Sequence, residues 1–586
     1  MRRLCFVVLL FAFLFPQSAQ SWWEERQLTF DTDRNHQLDN NLNWSPDCKW
    51  VGYDTRAFGD FGGIGNTLTL EKVNIDTQSI IVMYTAPNVI PLNGFGPGTG
   101  AVSFFPYGDA VVAIRGLDGI QYGGTARFGA MVTPTDGSVG SYDYYVTDAR
   151  DVTSPFTPGA LRGGSHSHEP SGDGQWVGFT YNDQIMESLG TNLRTIGVTK
   201  LGLPVNVDSA LGNQNGNFTV LVVKVKPQGE IVPGSDDIYQ GSDDSWVGEY
   251  GYQKPDGTWQ RARAFIGRTV TESGGTRNEV YIADIPEDIT VAGPDGPLQG
   301  TETTFPMPPA GTVQRRLTHS DSNCGGIIRC SLDGKWIAFT RGGQVWIVSP
   351  LGGDPIQVTT LASSASKPWW DPSGAYLYCI SDNSIWMTNV IEGDPAFGES
   401  VRITDPTLYP GIPPDALCVS PDGQWIAFNR KLDRGDGVTL NQVFIVAIRK
   451  LAILDIKPGD CPNQFTVNKQ NKGKIPMAIL GSPELDVADI DVASININGV
   501  AFPVKSPSVA DVSGPGESVC DCGTGPDGYP DLVLHFSQED VVEALGLEAL
   551  SEDAEVEVTV FANQNDGLEV QATDCMTIHF AGKGHE

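Results

Sequence analysis

One short unit returns six times along this 586-residue chain, and it restricts the fold more than any other feature. Each copy has an extended segment, a turn built from Pro, Asp or Gly, and then an apolar run of strand length. Asp-Gly and Ser-Gly supply the positive φ that a tight hairpin needs, so the unit predicts an antiparallel hairpin. The copies are NWSPDCKWVGYDTR (43–56), SFFPYGDAVVAIR (103–115), EPSGDGQWVGFTY (169–181), CSLDGKWIAFTR (330–341), WWDPSGAYLYCI (369–380) and CVSPDGQWIAFNR (418–430).

Further strand-like runs follow several of these hairpins. Four antiparallel strands form one propeller blade, and such blades must stack radially into a closed ring to bury their faces. After the last copy only a third strand follows, whereas EERQLTF (24–30) has the character of a fourth strand. We therefore predict that the N-terminal strand 24–30 completes the last blade. Third strands are QVWIVSP (344–350), SIWMTNV (384–390) and QVFIVAI (442–448); fourth strands are RRLTH (315–319), IQVTTL (356–361) and VRITDP (401–406).

The number of blades depends on the segment between Trp176 and Trp336, which is too long for one blade. It contains FTVLVVKV (218–225), WQRARAFIG (259–267) and EVYIADI (279–285), and these runs fit one degenerate blade. The sequence thus predicts an all-β protein with a seven-bladed propeller. A six-bladed ring with a large insertion is the alternative.

The repeat resembles the TolB-type propeller repeat, whose hallmark is a WSPDG-x-x-I-A-F stretch followed by a strand with an aromatic centre. The resemblance covers roughly residues 22–450 and implies the fold. It does not fix the function, because TolB-like propellers serve as binding platforms, peptidase lids and lyases. More narrowly, NHQLDNNLNWSPD, YDTR, LRGGSHSHE and FTYND are similar to a family of uncharacterised exported TolB-like propeller proteins.

The N-terminus and the overall charge indicate where the protein acts. Residues 1–21 contain two arginines, a short apolar run and small residues, which is the arrangement of a cleaved signal peptide. No later stretch is long and apolar enough to span a membrane, so we expect a periplasmic or extracellular protein. The formal net charge of -33 repels phosphate backbones and argues against a nucleic-acid partner.

Strand direction predicts one polar rim of the propeller. Residues just before first strands and just after second strands lie opposite the Asp-Gly turns, so they should surround one central funnel. This places the polar residues of those segments in a candidate ligand-binding funnel, which we expect to bind a protein, peptide or glycan. The predicted funnel residues are Asn41, Asp54, Arg56, Arg162, Asn182, Asp183, Arg341 and Arg430.

The histidines of the propeller map to the same rim. His166 and His168 alternate with Ser167, and Glu169 follows, so these side chains could bind a divalent metal such as manganese, zinc or calcium. The alternative is that the imidazoles cap loops and bond to the backbone. Oligogalacturonate lyases are similar propellers that hold a metal on funnel histidines, and their His-Glu before a WSPDG-like turn resembles His168-Glu169. The predicted metal ligands are His36, His166, His168, Glu169 and His319.

That second resemblance implies a mechanism in which the metal binds a uronate carboxylate and acidifies the α-proton, with Arg56 or Arg162 clamping substrate carboxylates. No GxSxG nucleophile elbow or phosphate-binding loop supports another enzyme class. The sequence therefore supports two candidate functions. The first is a non-catalytic binding scaffold, and the alternative is a metal-dependent polysaccharide lyase.

The repeat stops near residue 450, and residues 451–582 are predicted to form a small β-sandwich-like domain. The opening ILDIKPGDCP and the segment DGYPDLVLHF resemble an accessory domain found at the C-terminus of secreted bacterial proteins. Asp527 and Asp531 are candidate calcium ligands in an acidic loop, with a plain turn as the alternative. For the cysteines we predict the pairs Cys324–Cys330 and Cys461–Cys575.

Overall fold

The structure is a computed structural model. It describes residues 22–580 except 40–41, 58–62, 88–97, 136–141, 192, 468–472, 483–484, 517–519, 522 and 566–567. The predicted signal peptide, residues 1–21, lies outside the described residues. Trp23–Ala447 form one compact unit, and a second begins at Ile448. None of the helices in the described ranges is both long and apolar enough to cross a membrane.

The first unit contains seven four-stranded antiparallel sheets, so the seven-bladed propeller is confirmed and the six-bladed alternative is wrong. Blade one comprises Arg34–Gln37, Trp50–Ala57, Thr69–Asn74 and Ile80–Thr85. Blade two comprises Thr99–Phe104, Val111–Gly116, Arg127–Pro134 and Tyr142–Val146. Blade three comprises Gly163–Pro170, Trp176–Asp183, Arg194–Val205 and Gly216–Leu221. Blade four comprises Gln240–Trp246, Ala262–Val270, Thr276–Asp284 and Val313–Arg316. Blade five comprises Cys324–Cys330, Ile337–Arg341, Gln344–Val348 and Ile356–Gln357. Blade six comprises Ser366–Trp370, Tyr376–Ser381, Ser384–Asn389 and Ser400–Arg402.

Blade seven combines the two ends of the propeller sequence. Its strands are Asp415–Val419, Trp425–Asp433 and Thr439–Ala447, and the N-terminal strand Glu25–Gln27 pairs antiparallel with the last of these. Just beyond the pairing, the Leu28 amide donates to the Val443 carbonyl at 2.8 Å. The ring is thus joined by hydrogen bonds between segments more than 400 residues apart in sequence.

The recurring turns have a common hydrogen-bond pattern. In four blades a serine opens the turn, accepts from the amide of a tryptophan five residues later at 2.9–3.1 Å, and donates to an aspartate two residues on. The residue after that aspartate has positive φ, and it is glycine in three of the turns. A side-chain cap and a left-handed residue therefore fix each hairpin locally. The serines are Ser45, Ser171, Ser331 and Ser420.

The first strand of six blades carries a β-bulge that the repeat pattern did not reveal. At each bulge the register with the second strand shifts beside a residue of positive φ. Such bulges bend a strand and re-aim its side chains. First strands of adjacent blades pack on each other, so they lie innermost in the ring. The bulge residues are Ala101, Ser167, Asp243, Gly326, Lys367 and Ala416.

Blade four corrects one detail of the strand assignment. The run 218–225 was predicted to belong to this blade, but Gly216–Leu221 forms the fourth strand of blade three. The first strand of blade four is instead the polar segment Gln240–Trp246. A small hairpin, Tyr252–Gln253 with Trp259–Gln260, is inserted after it. The first strand was missed because its side chains alternate neither in size nor in polarity.

The second unit is a β-sheet domain. The strand Arg449–Ile456 pairs in parallel with Glu569–Phe580 through its first half and antiparallel with Lys474–Ile479 through its second half. It therefore links two layers of sheet around a core that includes Leu454, Leu534 and Ile578. The other strands are Gln464–Val467, Ile490–Asn496, Ser508–Ala510, Asp531–Ser537 and Glu555–Gln564, with one helix at Gln538–Leu545.

Both predicted disulfide pairs are wrong. Cys324 and Cys330 are free thiols, because they occupy the two ends of one extended strand, whereas a disulfide requires Cα atoms within about 7 Å. Cys575 pairs with Cys520, at an S–S distance of 2.00 Å, and not with Cys461. Cys461 is also disulfide-bonded.

Candidate functional site

Several predicted funnel residues are engaged with each other in buried ion pairs. Arg162 and Asp183 are both fully buried and lie 2.8 Å apart. Asp183 also accepts from the Tyr181 hydroxyl and caps the short helix Gln184–Ser188 through the Met186 amide. Arg162 donates further to the carbonyl of Thr304 at 3.0 Å. This pair shapes the rim, but its charges face protein and not solvent.

A second predicted pair has the same character. Asp54 is fully buried, accepts from the Arg56 guanidinium at 2.9 Å and accepts from the Ala101 amide at 2.9 Å. Arg56 also donates to Asp39. Asp54 therefore ties blade one to the bulge of blade two, and Arg56 has two carboxylate partners already in place.

The remaining predicted funnel residues are dispersed around the ring. Arg430 is fully buried and makes a bidentate pair with Glu25 of the closing strand. Arg341 stacks on the Trp346 ring at 3.5 Å from the centroid. Asn182 is half-buried at the end of the second strand of blade three, and Asn41 lies outside the described residues.

The structure spreads the predicted histidine ligands over three blades. His36 is buried in blade one and stacks on Tyr53, with ring centroids 4.5 Å apart. His319 is exposed and follows the fourth strand of blade four. Within the described residues, no group of three metal-ligating side chains includes a propeller histidine.

His166 and His168 lie together in blade three, in an environment that favours neutral rings. His168 contacts the Ser165 hydroxyl at 2.9 Å and stands 4.0 Å from Asp148. Burial, together with repulsion from Arg127, lowers the pKa of His168 to about 3. His166 accepts from Arg194 and contacts the Thr180 hydroxyl at 2.7 Å. Burial lowers the pKa of His166 well below its ordinary value, with added contributions from Arg127 and Arg194.

Glu169, the predicted carboxylate ligand, is part of a junction between blades three and four. It accepts from Arg263 at 2.5 Å, from the Ser245 hydroxyl at 3.0 Å and from the Trp246 amide at 3.1 Å. Arg263 is fully buried and also donates to Asp244. Glu169 therefore holds two blades together in the structure described.

The C-terminal aspartates predicted to bind calcium have different environments. Asp531 is fully buried and accepts from the amides of Gly481, Val512 and Ser513 at 2.7–3.2 Å. Asp527 is exposed and accepts from the Tyr529 amide at 3.0 Å. Both carboxylates thus cap turns, which matches the alternative of a plain turn between strands.

The neutral histidines make a testable prediction about acid stability. Because the folded-state pKa of His168 lies below its ordinary value of 6.5, protons favour the unfolded chain. Its contribution is complete above pH 6.5 and decreases as the pH falls toward 3, by about 2 kcal/mol between pH 6.5 and pH 5. Urea unfolding of His168→Gln should show a correspondingly smaller loss of stability over this interval. The exposed-site variant His319→Gln should keep the wild-type pH dependence, and equal slopes for all three proteins would contradict the prediction.

Two further rim residues, Arg127 and Arg194, were missed by the sequence analysis. Each begins the third strand of its blade, in blades two and three respectively. These positions do not flank the first and second strands, from which the rim was predicted. A basic residue at the start of a third strand was the available signal, but only the structure shows that both lie beside His166.

The blades and their Ser-x-Asp-Gly hairpins define the chain as a seven-bladed β-propeller protein. The profile of a family described as "Protein of unknown function (DUF3748)" matches residues 98–213, which include Arg127, His166 and Arg194. The chain is 35% identical over 428 residues to the uncharacterized protein YidR of Escherichia coli K12, covering 69% of this chain and 94% of YidR. The chain therefore belongs to the YidR family.

Two solved structures were also found to be similar. A structure assigned to TolB from Agrobacterium tumefaciens has 15% identity and a TM-score of 0.30, covering 65% of this chain and 98% of that one. TolB from Acinetobacter baumannii has 12% identity and a TM-score of 0.28, covering 68% of this chain and 80% of that one.

Proposed function

We propose that the propeller is a non-catalytic binding scaffold whose ligand, a protein, peptide or glycan, docks at the rim where the second strands end. The observation that supports this most is the engagement of the predicted charged groups in structural pairs. Arg162 with Asp183, Arg430 with Glu25 and Arg263 with Glu169 stabilise the ring. Groups with such partners give the rim a rigid shape, which suits recognition better than proton transfer.

The innermost strands supply a second line of support. Their bulges expose Ser167 and Asp243, and Lys367 forms an ion pair with Asp415 of the next blade at 3.1 Å. A ring of different polar groups on rigid strands can distinguish ligands by their hydrogen-bonding pattern. No observation on the described residues favours the lyase alternative, since His166, His168 and Glu169 contact protein groups instead of one another.

The scaffold proposal and the lyase alternative are separated by one assay. The purified chain is incubated with trigalacturonate and manganese, and the unsaturated product is followed by its ultraviolet absorbance. We expect no product, and metal analysis should show no stoichiometric manganese, zinc or calcium on the propeller. Metal-dependent product formation that is lost in His168→Ala, while His319→Ala remains active, would contradict the scaffold proposal.

We also propose that the chain is exported, on the strength of its N-terminal 21 residues. Fractionation of cells producing the full chain should place the mature protein in the periplasm or medium, with its new N-terminus near residue 22. Recovery of the full-length chain in the cytoplasm would contradict export. This test is independent of what the propeller binds.

A further inference from the structure

Two arginines without carboxylate partners lie beside His166 at the junction of blades two and three. Arg127 opens the strand Arg127–Pro134, and Arg194 opens Arg194–Val205. Both are half-buried, and neither forms an ion pair with a carboxylate in the part of the chain that the structure describes. This contrasts with Arg162, Arg263 and Arg430, whose guanidiniums are each neutralised by a buried acid.

The hydrogen-bonding capacity of the two guanidiniums is only partly used. Arg127 lies over the Tyr122 ring, 5.9 Å from its centroid, and donates to the Tyr122 hydroxyl at a long 3.4 Å. Its Nε is buried and lacks an acceptor among the described residues. Arg194 donates to His166 Nε2. A buried donor without an acceptor costs about 1–3 kcal/mol, so an anion that accepted these hydrogens would be favoured.

The local charge also favours an anion. Burial lowers the pKa of Arg194, and repulsion from Arg127 lowers it further, while Asp243 and Asp244 act in the opposite direction. Asp244 shares the cation Arg263 with Glu169, whereas the exposed Asp243 has no ion pair among the described residues. His166 adds no charge because its ring is neutral at physiological pH. Arg127 and Arg194 therefore place two cationic groups without ion-pair partners among the described residues at one junction, in a chain whose net charge is -33.

The loop before Arg127 has open space around two of its residues. The loop that leads into Arg127 contains Gly123 and Gly124, and a Cβ atom added at either would meet no atom within 4 Å. We propose that Arg127 and Arg194 bind a single carboxylate group of a ligand at the junction of blades two and three. This inference rests on the proposed binding function and specifies the chemistry that the rim recognises.

A carboxylate fits the pair better than phosphate does. Guanidinium groups bind planar carboxylates through paired N–H···O bonds, and neither Arg127 nor Arg194 already holds a carboxylate within the described ranges. A phosphate dianion would bring two negative charges beside Asp243 in an already acidic chain, whereas a carboxylate brings one. The carboxylate can belong to an acidic sugar or to a peptide, and the experiment distinguishes these sources.

The test is calorimetric titration of the full chain at constant ionic strength. The probes are D-glucuronate, N-acetylglycine, inorganic phosphate and uncharged D-glucose. We expect one carboxylate probe to bind and D-glucose not to bind, and the preferred probe identifies the source of the carboxylate. Arg127→Met should weaken this binding at least tenfold, since a hydrogen bond to a charged group is worth about 1.5–3 kcal/mol. Asp243→Asn should strengthen it severalfold.

Arg268→Met is the matched control, because Arg268 is an exposed arginine of blade four. It should change the affinity less than twofold. Absence of carboxylate binding, tighter binding of phosphate, or equal weakening in Arg268→Met would overturn the carboxylate site. The trigalacturonate assay tests the scaffold proposal separately. Failure of carboxylate binding with no product from trigalacturonate would contradict only the carboxylate site. Metal-dependent turnover of trigalacturonate would contradict the scaffold proposal itself.

Discussion

Glu25→Ala is expected to destabilise the propeller by about 3–5 kcal/mol, because it leaves the fully buried Arg430 without a carboxylate partner. Glu25 accepts two hydrogen bonds from Arg430, at 2.7 and 2.6 Å, and it is the first residue of the strand that closes the ring. The change therefore weakens both the ion pair and the attachment of the closing strand to Thr439–Ala447. An unpaired edge at that position would also promote association between chains.

Urea unfolding followed by tryptophan fluorescence measures this effect in the propeller alone. All 13 tryptophans precede residue 426, so the C-terminal unit does not contribute to the signal. Glu24→Ala is the matched control, since Glu24 is the exposed neighbour of Glu25. We expect a change below about 1 kcal/mol for Glu24→Ala. Similar small effects for both variants would show that the closing strand does not depend on the Glu25–Arg430 pair.

Arg263→Met should have an effect of similar size at the junction of blades three and four. Arg263 is fully buried between Asp244 of its own blade and Glu169 of the preceding blade. Its removal leaves these two carboxylates without the cation to which both are hydrogen-bonded, which costs about 3–5 kcal/mol. The same fluorescence-detected unfolding measures the loss.

The junction of blades three and four also allows a test by partial rescue. Adding Asp244→Asn to Arg263→Met removes the repulsion between the carboxylates and should recover part of the lost stability. Lys335→Ala breaks an ion pair with Asp333 on exposed side chains and should cost less than about 1 kcal/mol. Additive losses in the double variant would argue that Arg263 acts through packing and not through charge.

The candidate site contains some residues that a local sequence pattern reveals and others that only the packing of blades brings together. His168 and Glu169 stand out in the sequence because a His-Glu pair precedes a turn, yet their partners are Ser165 and Arg263. Arg127 and Arg194 have no local signal of this kind. Their proximity depends on the packing of two blades. Whether their charges are paired depends on which carboxylates this packing brings near them.

The hairpins could be predicted from the chain alone because their causes are local. A serine, an aspartate and a glycine within five residues make the cap and the positive φ, as Ser331, Asp333 and Gly334 show. Repetition of such hairpins with strand-length apolar runs then implies blades, and the missing fourth strand after residue 448 indicated that the N-terminus completes the ring.

Contacts between distant segments could not be obtained in this way. Glu25 and Arg430 are 405 residues apart, Glu169 and Arg263 are 94 apart, and Cys520 bonds Cys575 across 55 residues. The first strand of blade four, Gln240–Trp246, is polar and is held in the sheet by its neighbours. Local turns and strand periodicity are encoded within a few residues, whereas the pairing of charges, thiols and polar strands arises only when folding brings remote segments together.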